Sequence, residues 1–233
     1  MESAEHVVVV AGWLKEVLKR NGISGENVTV SQHGLSDSMR TTQRKAAERR
    51  HSQEASWPLR IGFVGRFTEV KGPHVLVEAV RQLPEDIAVE THLYGMAQSA
   101  KDQQYLAEMK QEAQGDPRVQ FCGPMTEENR VEAFAGFDLL AVPSIWFETG
   151  PYTVLEAFAA GIPVLGSNHG GIAERVTDGE SGVLVPPGDV EAWADALRVL
   201  WERHRADHWD WSLPEPRTSR TIAQEMEQIY AQT

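Results

Sequence analysis

Short apolar runs alternate with stretches of helical periodicity through the middle of the chain. The runs lie at Arg60–Val64, Ala88–Tyr94, Arg118–Cys122, Asp138–Val142, Pro163–Gly166 and Gly182–Val185. They are apolar on successive rather than alternate positions, so both faces must be covered, as in a parallel sheet. Helical patterns fall between them at about 71–83, 99–114, 127–135, 151–160, 171–178 and 189–203. Gly161 with Pro163 closes one of these helices, and Gly188-Asp189 opens the last. This alternation predicts right-handed crossovers and a doubly wound α/β fold with a parallel sheet.

Three stretches stand outside the series. Residues 6–21 read as an amphipathic helix carrying Trp13, Leu14, Val17 and Leu18, followed by a short strand at Val28–Ser31 and a turn at Gly34. Residues 40–56 carry Arg40, Arg44, Lys45, Arg49 and Arg50 without apolar periodicity. A basic arm for nucleic acid and a solvated loop both fit that composition, and the solvated loop is the expectation. Residues 203–217 hold Trp209 and Trp211 with prolines at 214 and 216, and lead into a final helix at 218–231.

Charge narrows the partners. Against 22 Lys and Arg stand 34 Asp and Glu, a formal net charge of −12 over 233 residues. That balance argues against non-selective binding to nucleic acid or anionic membrane, which needs a basic face. Cys122 is the one cysteine, which excludes a disulfide framework and a multi-cysteine metal site. No apolar run reaches the ~20 residues of a membrane-spanning helix. The opening Met1-Glu2-Ser3-Ala4-Glu5 is acidic where a signal peptide is basic. The expectation is a cytoplasmic protein, at most peripheral to the inner face of a membrane.

Three polar, glycine-bearing turns follow strands, where open α/β sheets bind ligands. The first runs from Gly65-Arg66 to Lys71-Gly72. It lacks the spacing of a P-loop and the third glycine of a dinucleotide fingerprint, which removes a nicotinamide dehydrogenase from consideration. Arg66 and Lys71 there either neutralise a diphosphate or are two solvated charges. The second turn is Glu148-Thr149-Gly150-Pro151-Tyr152-Thr153, with Glu156 further into the helix. Pro151 suits a first helical position. Gly150 allows close approach, and the free amides of Tyr152 and Thr153 suit phosphate. Glu148 and Glu156 are either acceptors for sugar hydroxyls or ordinary helix-start and exposed helical glutamates. The third is Ser167-Asn168-His169-Gly170-Gly171, with Glu174 after it. Its paired glycines serve a ligand or only the turn, and Glu174 is a candidate helix cap. His169 has no nucleophile partner in view, and neither a metal-binding histidine spacing nor an Asp-x-Asp pair is present.

Taken together and in order, these motifs resemble the donor-binding half of a family-4 (group 1) glycosyltransferase of GT-B architecture, two facing Rossmann-like domains. The matching residues are Gly65-Arg66, Lys71-Gly72, the Glu148 and Glu156 pair, Gly161-Ile162-Pro163-Val164, Gly170-Gly171 with Glu174, and Gly182 to Asp189. The likeness covers about 25–35 and 58–203. It implies a retaining enzyme with no required metal or cofactor, whose donor is a nucleoside-diphosphate sugar such as a UDP- or GDP-sugar. It implies that Arg66 and Lys71 bind the diphosphate, that Glu156 bonds the ribose and that Glu148 holds a hydroxyl of the sugar. The strand end at Gly123 to Met125 would lie beside the base. Thr149-Gly150-Pro151 and His33-Gly34-Leu35 depart from the common pattern.

The chain is also shorter than a two-domain enzyme needs. The expected division is 1–35 as the tail of a missing acceptor-side domain and its crossover, and 36–57 as a basic flexible loop. Residues 58–203 then form the nucleotide-sugar domain, and 204–233 a C-terminal extension. Sugar transfer by this chain alone is not expected. Trp13 and its apolar neighbours on the terminal helices would lack cover and favour self-association. The alternative reading is a non-catalytic module that binds a nucleotide sugar or docks a partner.

Overall fold

A computed structural model describes residues 6–51, 58–113 and 115–231. In chain order the elements are β1 (Val7–Val9), α1 (Gly12–Arg20), β2 (Val28–Val30), α2 (Asp37–His51), β3 (Leu59–Arg66) and α3 (Pro73–Gln82). Then come β4 (Val89–Met96), α4 (Ala100–Glu112), β5 (Val119–Gly123), α5 (Glu127–Ala135), β6 (Leu139–Val142) and α6 (Tyr152–Ala159). The last are β7 (Val164–Ser167), α7 (Gly170–Ala173), β8 (Gly182–Val185), α8 (Val190–Arg205) and α9 (Ser219–Tyr230).

Six strands form one parallel sheet in the order β5-β4-β3-β6-β7-β8. The chain builds outward from β3 through β4 to β5, then returns to lay β6 on the other side of β3. The order therefore reverses between β3 and β6, and a crevice opens at their carboxyl ends.

The sheet is covered on both faces, as the continuous apolar runs require. Leu139 and Ala141 of β6 belong to a cluster with Leu59, Ile61, Leu76, Trp193 and Leu197. Their neighbours Leu140 and Val142 belong to the opposite cluster with Phe134, Phe137, Val154, Phe158 and Ile172. This is the two-residue alternation of a strand feeding two cores. The extension after α8 closes over the first cluster, where Trp209 and Trp211 pack. The Arg203 guanidinium sits 4.0 Å from the centroid of the Trp211 ring.

Three sequence expectations need correction. The helix expected at 6–21 begins only at Gly12. The valines before it form β1, paired in parallel with β2 through Val7↔Val28 and Val9↔Val30, because β-branched residues favour the pleated chain. The basic stretch expected as a loop within 36–57 is helical over Asp37–His51. Its start is capped by Ser36 Oγ, which accepts from Met39 N at 3.1 Å. Its buried positions include Gln43 and Ala46, too weakly apolar to print a periodic signal. Arg40 pairs with Glu215 and Arg49 with Glu132, so part of the basic charge is met within the chain. Residues 52–57 lie outside the described residues. Finally, the helix expected at 171–178 is a four-residue turn, α7.

Candidate active site

The loop leaving β3 tightens into a 3-10 turn at Glu69–Lys71 and then reverses at Gly72, which has φ +65. A Cβ on Gly72 would stand 2.0 Å from the Pro143 carbonyl oxygen, so no other residue fits there without displacing the loop after β6. The two loops are also joined by Ile145 N donating to Val70 O at 3.0 Å. This places the Lys71 ammonium 2.6 Å from Glu148 Oε1. Ser144 Oγ donates to the same oxygen at 2.8 Å. Both charged side chains are largely buried, Lys71 at 27% and Glu148 at 18% exposure. A cation and an acceptor, 77 residues apart in sequence, thus meet at the point where the strand order reverses.

The third loop packs directly on the second. Gly171 N donates to Glu148 O at 2.6 Å, tight for a backbone bond. A Cβ on Gly171 would lie 2.8 Å from that oxygen and from Gly150 N. Gly170 lies beside the same backbone. His169, just before α7, sets its ring edge-on to Phe147 at 5.0 Å. Pro151 stands one place earlier than its sequence reading, as the N-cap of α6 with ψ 125, so Tyr152 and Thr153 occupy the first turn. The amides of that turn have no partner within the helix. The Tyr152 ring turns away and stacks on His33 at 4.8 Å.

Glu156 faces a different partner. It is almost fully buried in α6, with Oε1 2.9 Å from Arg130 Nη1 on α5. Burial pushes its carboxyl above the usual carboxylate value, and the Arg130 charge pulls against that. Met125, between β5 and α5, packs part-buried against the cluster on the α6 side. Arg66 stands exposed at the end of β3, and Gly65 pairs in register with Gly95.

Lys71, Glu148, Gly150, Gly170 and Gly171 therefore converge, with Tyr152 and Thr153 at the helix start beside them. Glu156 and Met125 border the α5 side, and Arg66 is the outlying member. Sequence reasoning missed Ser144 and Arg130, which carry no motif and are known only by what they touch. It also missed Trp13, whose indole Nε1 donates to Glu148 O at 3.1 Å and whose ring lies 5.4 Å from Phe147. Far from lacking cover, Trp13 reaches the site. Among the described residues no group of three or more His, Cys, Asp or Glu side chains is placed to hold a metal ion. No described helix is long and apolar enough to cross a membrane.

The family model for glycosyl transferases group 1 matches residues 44–208. The chain belongs to this family. It is 37% identical over 145 residues to D-inositol 3-phosphate glycosyltransferase of Corynebacterium urealyticum, covering 60% of this chain and 34% of that protein. With the Corynebacterium efficiens protein of the same name it shares 32% identity over 183 residues, 75% of this chain and 43% of the relative. The chain thus spans well under half the length of these two relatives. Among solved structures it is similar to Anabaena Alr3699/HepE in complex with UDP and glucose, with a TM-score of 0.81 at 23% identity. That alignment covers 99% of this chain and 64% of the other. Sucrose-phosphate synthase from Thermosynechococcus elongatus aligns with a TM-score of 0.77 at 26% identity, over 99% and 59% of the two chains. The α/β fold with its six-stranded parallel sheet is that of GT-B glycosyltransferases.

Proposed function

We propose that this chain is the nucleotide-sugar-binding half of a retaining glycosyltransferase. The observation that carries the reading is the Lys71–Glu148 pair at the sheet's switch point, backed by the Gly171 amide. A donor diphosphate lying across the loops at 65–72, 148–153 and 167–171 draws Lys71 toward its oxygens, with Arg66 closing over the other side as a bidentate fork. As the glycosidic bond to the phosphate breaks, negative charge grows on the departing diphosphate. These two cations and the first-turn amides of Tyr152 and Thr153 stabilise it. Glu148, released from Lys71, accepts from a hydroxyl of the transferred sugar. Glu156 accepts from the ribose, and Met125 lies beside the base. Gly170 and Gly171 let the third loop close against the Glu148 loop, and with Gly65 and Gly150 they form the backbone wall that the ligand meets. The chemistry as assigned calls for no divalent cation.

A UDP-sugar is the favoured donor, since a structural neighbour is described with UDP and glucose. D-inositol 3-phosphate, which names the curated relatives, is the first acceptor to test. We read residues up to Leu35 as the end of the acceptor-side domain and its crossover, with 58–203 as the donor domain. One wall of a two-domain cleft does not hold both substrates in attacking geometry, and positioning supplies ~7–11 kcal/mol of such barriers. The isolated chain therefore binds donor without transferring sugar.

The test incubates the chain with radiolabelled UDP-glucose and D-inositol 3-phosphate, alone and after the acceptor-side half of a relative is joined to it. Transfer only in the joined protein supports the reading. Robust transfer by the 233-residue chain contradicts the half-enzyme assignment, and donor binding without transfer in the joined protein marks a binding module instead.

A further inference from the structure

The Glu148 loop is held from outside the six-stranded sheet. Its carbonyl oxygen accepts from Gly171 N and also from the Trp13 indole, 135 residues away in sequence. The turn that carries Trp13 is itself gripped by Glu174, the residue after α7. Glu174 Oε2 accepts from Gly12 N at 2.8 Å, and Oε1 accepts from Trp13 N at 2.6 Å. A carboxylate across the first amides of a helix meets unpaired donors and the positive end of the dipole together. The Glu174 carboxylate therefore caps the start of α1, the helix beside the separate two-stranded sheet, while the Glu174 backbone ends α7 as its C-cap.

We propose that Trp13 and Glu174 form a latch by which the placement of α1 sets the shape of the Glu148 loop, and with it the recognition of the donor sugar. This rests on the donor-binding reading given above. Two donors, Lys71 and Ser144, fix the Glu148 carboxylate, and two others, Gly171 and Trp13, fix its carbonyl. Without the indole N–H the carbonyl keeps only the Gly171 donor, and the peptide plane after Glu148 is held less firmly. The carboxylate then loses its aim, while Lys71 keeps its place in the loop after β3. Trp13 and Glu174 are positioning residues: they act on the sugar through Glu148. The coupling works in both directions, so a ligand that orders Glu148 also tightens α1 against the sheet.

Trp13→Phe keeps a ring against Phe147 and removes only the N–H. Glu174→Ala removes the cap, and Glu174→Gln leaves an acceptor in place. In hydrogen–deuterium exchange of the ligand-free chain, the Gly171 amide should exchange severalfold faster in Trp13→Phe and Glu174→Ala, with Glu174→Gln restoring much of the protection. In calorimetry, the affinity for UDP-glucose relative to UDP should fall about fivefold in Trp13→Phe, the worth of one hydrogen bond, with UDP itself changed less than twofold. Unchanged exchange at Gly171 in Trp13→Phe overturns the latch, whether or not Glu174→Ala folds. Equal losses for UDP and UDP-glucose overturn its link to sugar recognition. A wild-type chain that binds neither ligand removes the donor reading, and the exchange data still decide the latch.

Discussion

The two sheets use the same kind of residue and bury it to different extents. In the six-stranded sheet Leu59, Ile61, Leu139 and Leu140 are fully buried, because helices lie on both faces. In the two-stranded sheet Val9 and Val28 are buried while Val7, Val8 and Val30 stay partly exposed, with α1 as the neighbouring helix. Two strands alone are marginal in water, so the first segment depends on what it touches elsewhere. Those contacts are few and include hydrogen bonds from distant parts of the chain: Glu174 on α1, Trp13 on Glu148, and Arg217 Nη1 donating to Gln32 O at 3.3 Å. The larger sheet carries the stability, and the smaller one carries a connection to the site.

The sharpest way to break that contrast is a core truncation in each sheet. Leu139→Ala should cost ~2–5 kcal/mol in urea unfolding, since the buried site cannot collapse fully. Val8→Ala should cost about 1 kcal/mol. Equal costs would mean that the small sheet is as tightly built as the large one. Next in size is Lys71→Ala. Losing a charge-assisted contact worth ~1.5–3 kcal/mol should weaken UDP by about 10- to 150-fold, while uridine, which has no phosphate, should change less than twofold. Equal losses for both ligands would take the phosphate away from Lys71.

A smaller effect separates the α5 side of the site from the Lys71 side. Burial raises the Glu156 carboxyl above 4.5, so it is still partly protonated at a pH where an ordinary carboxylate is charged. Between 4.5 and that raised value the native state holds a proton that the unfolded chain releases. This group therefore subtracts stability as pH rises through the window, and the effect levels off above it. For binding, uridine affinity should climb from pH 4.5 toward neutrality as the carboxylate forms, and Glu156→Gln should flatten the climb. A wild-type profile already flat would remove Glu156 from ribose recognition. The smallest change expected is Arg49→Ala. Its pair with Glu132 is exposed, so thermal and urea stability should move by less than ~0.5 kcal/mol. A larger loss would show that α2 is held by charge and not by the packing of residues such as Ala46.

Much of the large sheet was legible because each strand is an apolar run with punctuation at both ends. The loops of the site were legible because Gly72 and Gly171 mark places where backbone passes close to backbone, and Gly150 one where the Arg175 guanidinium does. What escaped has a common cause: its signal is a distant partner. Residues 37–51 hide a helix because its buried positions include Gln43 and Ala46 rather than leucines. The valines of β1 merge with the helical pattern behind them, and their pairing with β2 leaves no local mark. Arg130 lies 26 residues from Glu156 and Trp13 far from Glu148, so neither is visible as a site residue until the fold brings them together.

The central claim is that the loops around Lys71 and Glu148 hold a nucleoside diphosphate, and metal-free calorimetry tests it most directly. The 233-residue chain is titrated in EDTA with UDP, GDP, ADP and uridine, and the titration of the best diphosphate is repeated on Lys71→Ala. The account predicts saturable binding of at least one diphosphate, tighter than uridine and weakened at least tenfold by the Lys71 change. Binding that appears only when a divalent cation is added, or no binding of any diphosphate at millimolar concentration, would contradict it.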